Sequence, residues 1–74
     1  MPRLPRVTAR EIIAVLEKKG FLLARQSGSH KIYKDAVRKR VTVPFHAQKI
    51  LHPKILASIM RDAGIRPEEL ECLL

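Results

Sequence analysis

Between Val7 and Lys18 the apolar residues recur at the spacing of one helix face, with Ala9, Ile12, Ile13 and Leu16 as the expected stripe. Thr8-Ala9-Arg10-Glu11 has the spacing of a capping box, in which hydroxyl and carboxylate each satisfy a free backbone N–H, and Val7 can staple onto Ile12. Lys18 and Lys19 suit the negative end of the helix dipole, and Gly20 supplies a left-handed stop. From Phe21 the period changes. Phe21 to Gln26 reads as a strand, Ser27-Gly28 as a turn and Ser29 to Lys34 as a second strand. Asp35-Ala36-Val37 turns the chain again. Arg38 to Val43 then alternates, with Val41 and Val43 on one face and Arg40 and Thr42 on the other, as a half-buried antiparallel strand ending at Pro44 does.

Pro53 is well placed as the first residue of a second helix, where its missing N–H costs nothing, and Ile55, Leu56, Ile59, Met60 and Ala63 form the expected buried stripe. Gly64 terminates it, with Ile65 packing back on Met60. Pro67, Glu68 and Glu69 open a short last helix carrying Leu70, Leu73 and Leu74. The order is α-β-β-β-α plus a short third helix, an α+β fold. Both main helices are expected on one face of a three-stranded antiparallel sheet, leaving the other face open. In the second strand Ile32 and Tyr33 compete to be the buried residue. If Ile32 is inside, His30 lies at the rim of that layer; if Tyr33 is, His30 is on the open face.

Seventy-four residues bound this to a single domain, 1–74, with a core of marginal size. No apolar run is long enough to span a bilayer, and the amino terminus lacks the apolar stretch of a signal peptide, so a cytoplasmic location away from membranes is expected. Cys72 is the single cysteine and sits in an acidic, leucine-rich tail where nothing cationic favours a thiolate, so a half-buried helix residue is expected there. The net charge of +8 lies entirely in residues 1–40, which hold eleven Lys and Arg against three acids, while residues 41–74 hold four of each. Such asymmetry suits a face that meets a polyanion.

Asp35 is the only carboxylate between residues 18 and 61, too few for the converging acids of a metal-dependent nuclease. Zinc spacing, a phosphate-binding loop and a serine nucleophile elbow are also missing. No metal and no small-molecule cofactor is therefore expected. Histidine remains, since imidazole exchanges protons near neutral pH. His30 opens a strand within Gly28-Ser29-His30-Lys31-Ile32-Tyr33. A second turn centred near Ala36 and Val37 sets His30 opposite Val43 and His46 three residues further, roughly 10 Å along the strand at about 3.3 Å per residue. Metal-free RNA cleavage needs a base for the ribose 2′-OH, an acid for the leaving 5′ oxygen and cations for the charged phosphorane. His30, His46, Lys31, Lys34 and Arg40 can divide these roles. His52 reads as a residue that starts the second helix.

Leu4-Pro5, Leu16-Glu17-Lys18-Lys19-Gly20-Phe21, the Gly28-Ser29-His30 stretch, Val41-Thr42-Val43-Pro44-Phe45-His46 and Ile59-Met60-Arg61-Asp62-Ala63-Gly64-Ile65 together resemble the HicA (YcfA-like) toxins. The resemblance implies a fold similar to double-stranded RNA-binding domains and a toxin that cleaves mRNA. It implies that His30 is the catalytic histidine and that a HicB-like antitoxin covers the active face. Where many relatives carry Gly-Thr at the start of the second main helix, this chain has Lys54-Ile55, which makes Lys54 a candidate phosphate contact. Two other readings compete: a non-catalytic RNA-binding module, and an interaction subunit whose sheet serves only a protein partner.

Overall fold

The computed structural model describes residues 5–46 and 49–74. Leu4, part of the resemblance, lies outside the described residues. The element order is α1 (Ala9–Lys18), β1 (Leu22–Ser27), β2 (His30–Lys34), β3 (Arg40–Pro44), α2 (Pro53–Ala63) and α3 (Pro67–Leu73), which is the expected α+β fold.

Helix α1 starts in the capping box: Thr8 Oγ1 accepts from the Glu11 N–H at 3.2 Å, and the Glu11 carboxylate accepts from the Thr8 N–H at 2.9 Å. It ends with the Phe21 N–H donating to the Leu16 carbonyl at 2.9 Å, which turns Phe21 into the core. Helix α2 ends in the same way, through Ile65 and the Met60 carbonyl at 2.9 Å. At that stop Gly64 has φ +72°, a left-handed backbone that calls for glycine; a Cβ there would meet only Lys39 Nζ, the movable end of an exposed side chain.

The buried stripes are shifted from expectation. On α1, Ala9, Ile12, Val15 and Leu16 are buried and Ile13 is half-buried. On α2, Leu56, Ile59, Met60 and Ala63 are inside, whereas Ile55 sits about a quarter-turn off the stripe and is 41% exposed. Helix α3 buries Leu70, half-buries Leu73 and leaves Leu74 exposed. It is tied to α1 by the Lys19–Glu69 ion pair and by Lys18 Nζ donating to the Leu73 carbonyl at 2.8 Å.

The three strands are antiparallel in the order β1-β2-β3, and both turns differ from the sequence expectation by one residue. The first turn is Gly28-Ser29 rather than Ser27-Gly28. Gly28 has φ +58° and Ser29 is not left-handed, the pattern of a type II′ hairpin turn. The second loop is three residues, Ala36-Val37-Arg38, closed by the Asp35 N–H donating to the Lys39 carbonyl at 3.2 Å. Arg38 occupies the left-handed region at φ +66°. Asp35 Oδ1 accepts from Val37 N–H at 3.1 Å and Lys39 N–H at 2.8 Å, holding the loop shut. The extra residue moves the register, so His30 faces Pro44 and not Val43, and Tyr33 faces Val41.

Tyr33, Val41 and Val43 consequently enter the core beneath α1 and α2, and Ile32 takes the opposite face. The helices pack on the sheet chiefly through β3, while every residue of β1 is exposed. Strand β1 thus lies outside the core, to which β2 is joined through Tyr33.

Asp35→Ala should cost about 1–2 kcal/mol, because two backbone donors lose a charged acceptor; urea unfolding measures it. Burial, and secondarily the charge of Glu17, push the Tyr33 phenol above its ordinary value of 10.0. Folding favours the neutral phenol, so this contribution is intact below pH 10.0 and is lost as the pH climbs toward the raised folded value. Tyr33→Phe should flatten the alkaline limb of a stability–pH curve measured by urea unfolding.

Candidate active site

Residues directly opposite one another in a sheet share a face, so the ladder defines the open surface. The β2–β3 register puts His30 beside Pro44, Ile32 beside Thr42 and Lys34 beside Arg40. On the other side of β2, Ser27 faces His30, Arg25 faces Ile32 and Leu22 faces Lys34. These nine residues include three cations and no carboxylate.

His30 opens β2 directly after the Gly28-Ser29 turn and is exposed. Its imidazole makes no side-chain hydrogen bond to any described residue, which leaves both ring nitrogens available to a ligand. Arg25 is its diagonal cross-strand neighbour, a relation that places Cα atoms about 7–8 Å apart. Sequence reading did not single out Arg25. Simple alternation from Leu23, which faces Tyr33, sends Arg25 to the helix side, but the register shifts between Leu23 and Arg25. Ala24 is the extra residue of a bulge, and the bulge turns Arg25 to the open face. No residue type announces it.

Lys34 and Arg40 share His30's face but stand at the far end of the ladder, four residues away or about 13 Å. They are like charges placed directly opposite, an arrangement unfavourable by itself and relieved by a bound anion. Lys31 is separated from this group. Its partner is buried Val43, and its ammonium lies 4.0 Å from the Phe45 ring centroid on the helix side of the sheet. That cation–π contact secures the strand from behind.

The Phe45 N–H donates to the Ser29 carbonyl, so pairing continues past His30. His46 is two residues beyond the cross-strand partner of His30, which shortens the separation along the strand from roughly 10 Å to roughly 7 Å. It is exposed and lines a cavity of about 200 Å³ with Pro44, Lys49, Ile50, Leu51, His52 and Ile55. His52 is the N-cap of α2, its Nδ1 accepting from the Lys54 N–H at 3.1 Å, in keeping with its reading as a helix starter. Lys54 is exposed in the first turn of α2 and belongs to the end of the molecule where the strand carrying Pro44 meets that helix.

Asp35 is spent on its turn at the opposite end of β2 from His30. Among the described residues no group of three or more His, Cys, Asp or Glu side chains is placed to hold a metal ion. Cys72 is an exposed free thiol on α3, remote in sequence from the sheet. No helix among the described residues is long and apolar enough to cross a membrane.

Residues 9–65 match the family described as HicA toxin of bacterial toxin-antitoxin. Comparison with curated proteins gives no match.

The two faces of β2 should separate in a salt titration of polyanion binding. Arg25→Gln or Lys34→Gln is expected to lower affinity for a single-stranded oligonucleotide and to reduce the slope of log K against log salt by about 0.7 each. Lys31→Gln should leave that slope nearly unchanged.

Proposed function

The chain belongs to the HicA toxin family of bacterial toxin-antitoxin systems, and from that premise we propose that it is a metal-independent endoribonuclease acting on mRNA in the cytoplasm through His30. The observation that supports this reading best is the open sheet face: an exposed imidazole with Arg25, Lys34 and Arg40 on the same surface and no carboxylate among them. Phosphodiester oxygens meet only positive charge there, and no acid competes for the histidine.

Cleavage by this face proceeds without an external cofactor. A base removes the proton of the ribose 2′-OH, the freed oxygen attacks phosphorus, and the bond to the 5′ oxygen breaks as an acid protonates it. A cyclic phosphate and a 5′-hydroxyl remain. His30 is the base or the acid, and His46, two residues beyond its cross-strand partner, supplies the complementary transfer. Arg25, the diagonal cross-strand neighbour of His30, offers the phosphorane a cation, while Lys34 and Arg40 hold strand further along. Lys54 marks a backbone contact at the α2 end. Lys31 takes no phosphate in this arrangement, and its part is to fix β2 from the helix side.

Membership of a toxin-antitoxin family implies an antitoxin partner. A HicB-like protein covering the open face would inhibit by occupying the surface that RNA needs.

His30→Ala should lower cleavage of labelled RNA by about 10²–10⁴-fold, in EDTA as well as without it, with unfolding and antitoxin binding largely unchanged. Full activity in that variant refutes the assignment. Binding by the wild-type protein with no new products would instead support a non-catalytic RNA-binding module.

A further inference from the structure

We propose that the cavity between the end of β3 and the start of α2 receives one unstacked nucleobase of the RNA strand that His30 cleaves; this deepens the ribonuclease reading and rests on it. The cavity measures about 200 Å³, below the ~300–1,000 Å³ of pockets that enclose a whole small ligand, so it fits a fragment of a longer molecule. Its walls are those of a base seat. Ile50, Leu51, Ile55 and Pro44 provide apolar surface, and His46 and His52 provide flat rings. Ile50 is 54% and Ile55 41% exposed, so the apolar wall faces solvent when the site is empty. Among the described residues of the lining Lys49 is the cation, and none is a carboxylate.

Position connects this cavity to the cleavage site. Pro44 is at once a wall of the cavity and the direct cross-strand partner of His30, and His46, two residues past Pro44, lines the same cavity. A strand whose phosphate rests at His30 passes over Pro44 and reaches the cavity with its neighbouring nucleotide. A second cavity of about 300 Å³ shares Ile50, Leu51 and His52 with it and adds Pro5, Arg6 and Pro53, which sets another cation beside apolar surface. Stacking surfaces along a cationic track are how single strands are held, and only an unpaired base can be delivered into such a seat. The peptide N–H of Lys54 is already bonded to His52 Nδ1, so binding here relies on the walls and not on the helix end.

The test is a double-mutant cycle on RNA binding. His30→Ala protein, which binds without cutting, is titrated with a short single-stranded oligoribonucleotide carrying one abasic residue moved stepwise along it. One position should weaken binding by about five- to a hundred-fold, the range of one stacked base. That penalty should vanish when the same series is bound by His30→Ala protein also carrying Ile50→Ser and Ile55→Ser, while Lys49→Gln should reduce the salt slope by about 0.7. Thermal melting checks that these exposed substitutions leave the fold intact. A uniform abasic series, or a penalty that persists in the Ile50/Ile55 variant, overturns the base seat. So does a variant that binds RNA normally and loses only a protein partner. Wild-type cleavage is measured beside it: cutting dependent on His30 with a null cycle removes the seat alone, whereas neither binding nor cutting removes the ribonuclease reading and the seat with it.

Discussion

The parity of the β2–β3 register is the constraint on which the candidate site depends. His30 pairs with Pro44 and Lys34 with Arg40, so even-numbered positions face even-numbered positions, and the odd set of Tyr33, Val41 and Val43 fills the core. A slip of one residue would set His30 opposite Val43, in the layer beneath the helices. The parity is fixed by one loop residue. Arg38, at φ +66°, makes the connection three residues long, and the Asp35 carboxylate closes it with two hydrogen bonds. A residue with no electrostatic role near His30 thereby decides whether His30 sees water or hydrocarbon.

Each strand of the hairpin divides its labour between its faces. On β2, Tyr33 is anchored in the core and Lys31 lies over Phe45, while His30, Ile32 and Lys34 are left for a ligand. This matters because β1 has no buried residue and the helices reach the sheet mainly through β3. The hairpin's orientation then rests on its hydrogen-bonded ladder and on those two anchors. Fixing an imidazole from behind restricts it without covering it, as acid–base catalysis on a polymer requires.

Much of this was legible from residue types with one strong preference. The Thr8–Glu11 box, Pro53 at the start of α2 and Gly64 at its end each have a narrow set of permitted conformations, and the structure follows them. The errors fall where a backbone state is not tied to a residue type. A left-handed arginine at position 38 and an extra residue at Ala24 leave no mark on composition, yet one moves His30 to the open face and the other brings Arg25 beside it. Ile55 shows a different limit. Hydrophobicity placed it in the core, but the stripe is centred a quarter-turn away, and its exposure beside a cavity became informative only once the helix was docked.

Excess charge is confined to one half of the chain, whereas the core draws on both. Residues 1–40 carry all the excess positive charge, and the balanced half supplies α2 and α3, which complete the core with α1 and β3. Lys19 and Glu69 link the halves, and the hydrogen bond from Lys19 holds the Glu69 carboxyl below its ordinary range. Self-repulsion across Arg25, Lys34 and Arg40 opposes folding of the hairpin, and any polyanion or acidic surface laid on it relieves that cost. On the proposed function, RNA and an inhibitory partner draw on the same electrostatic gain at the same face, and they exclude each other through charge even where their contacts differ.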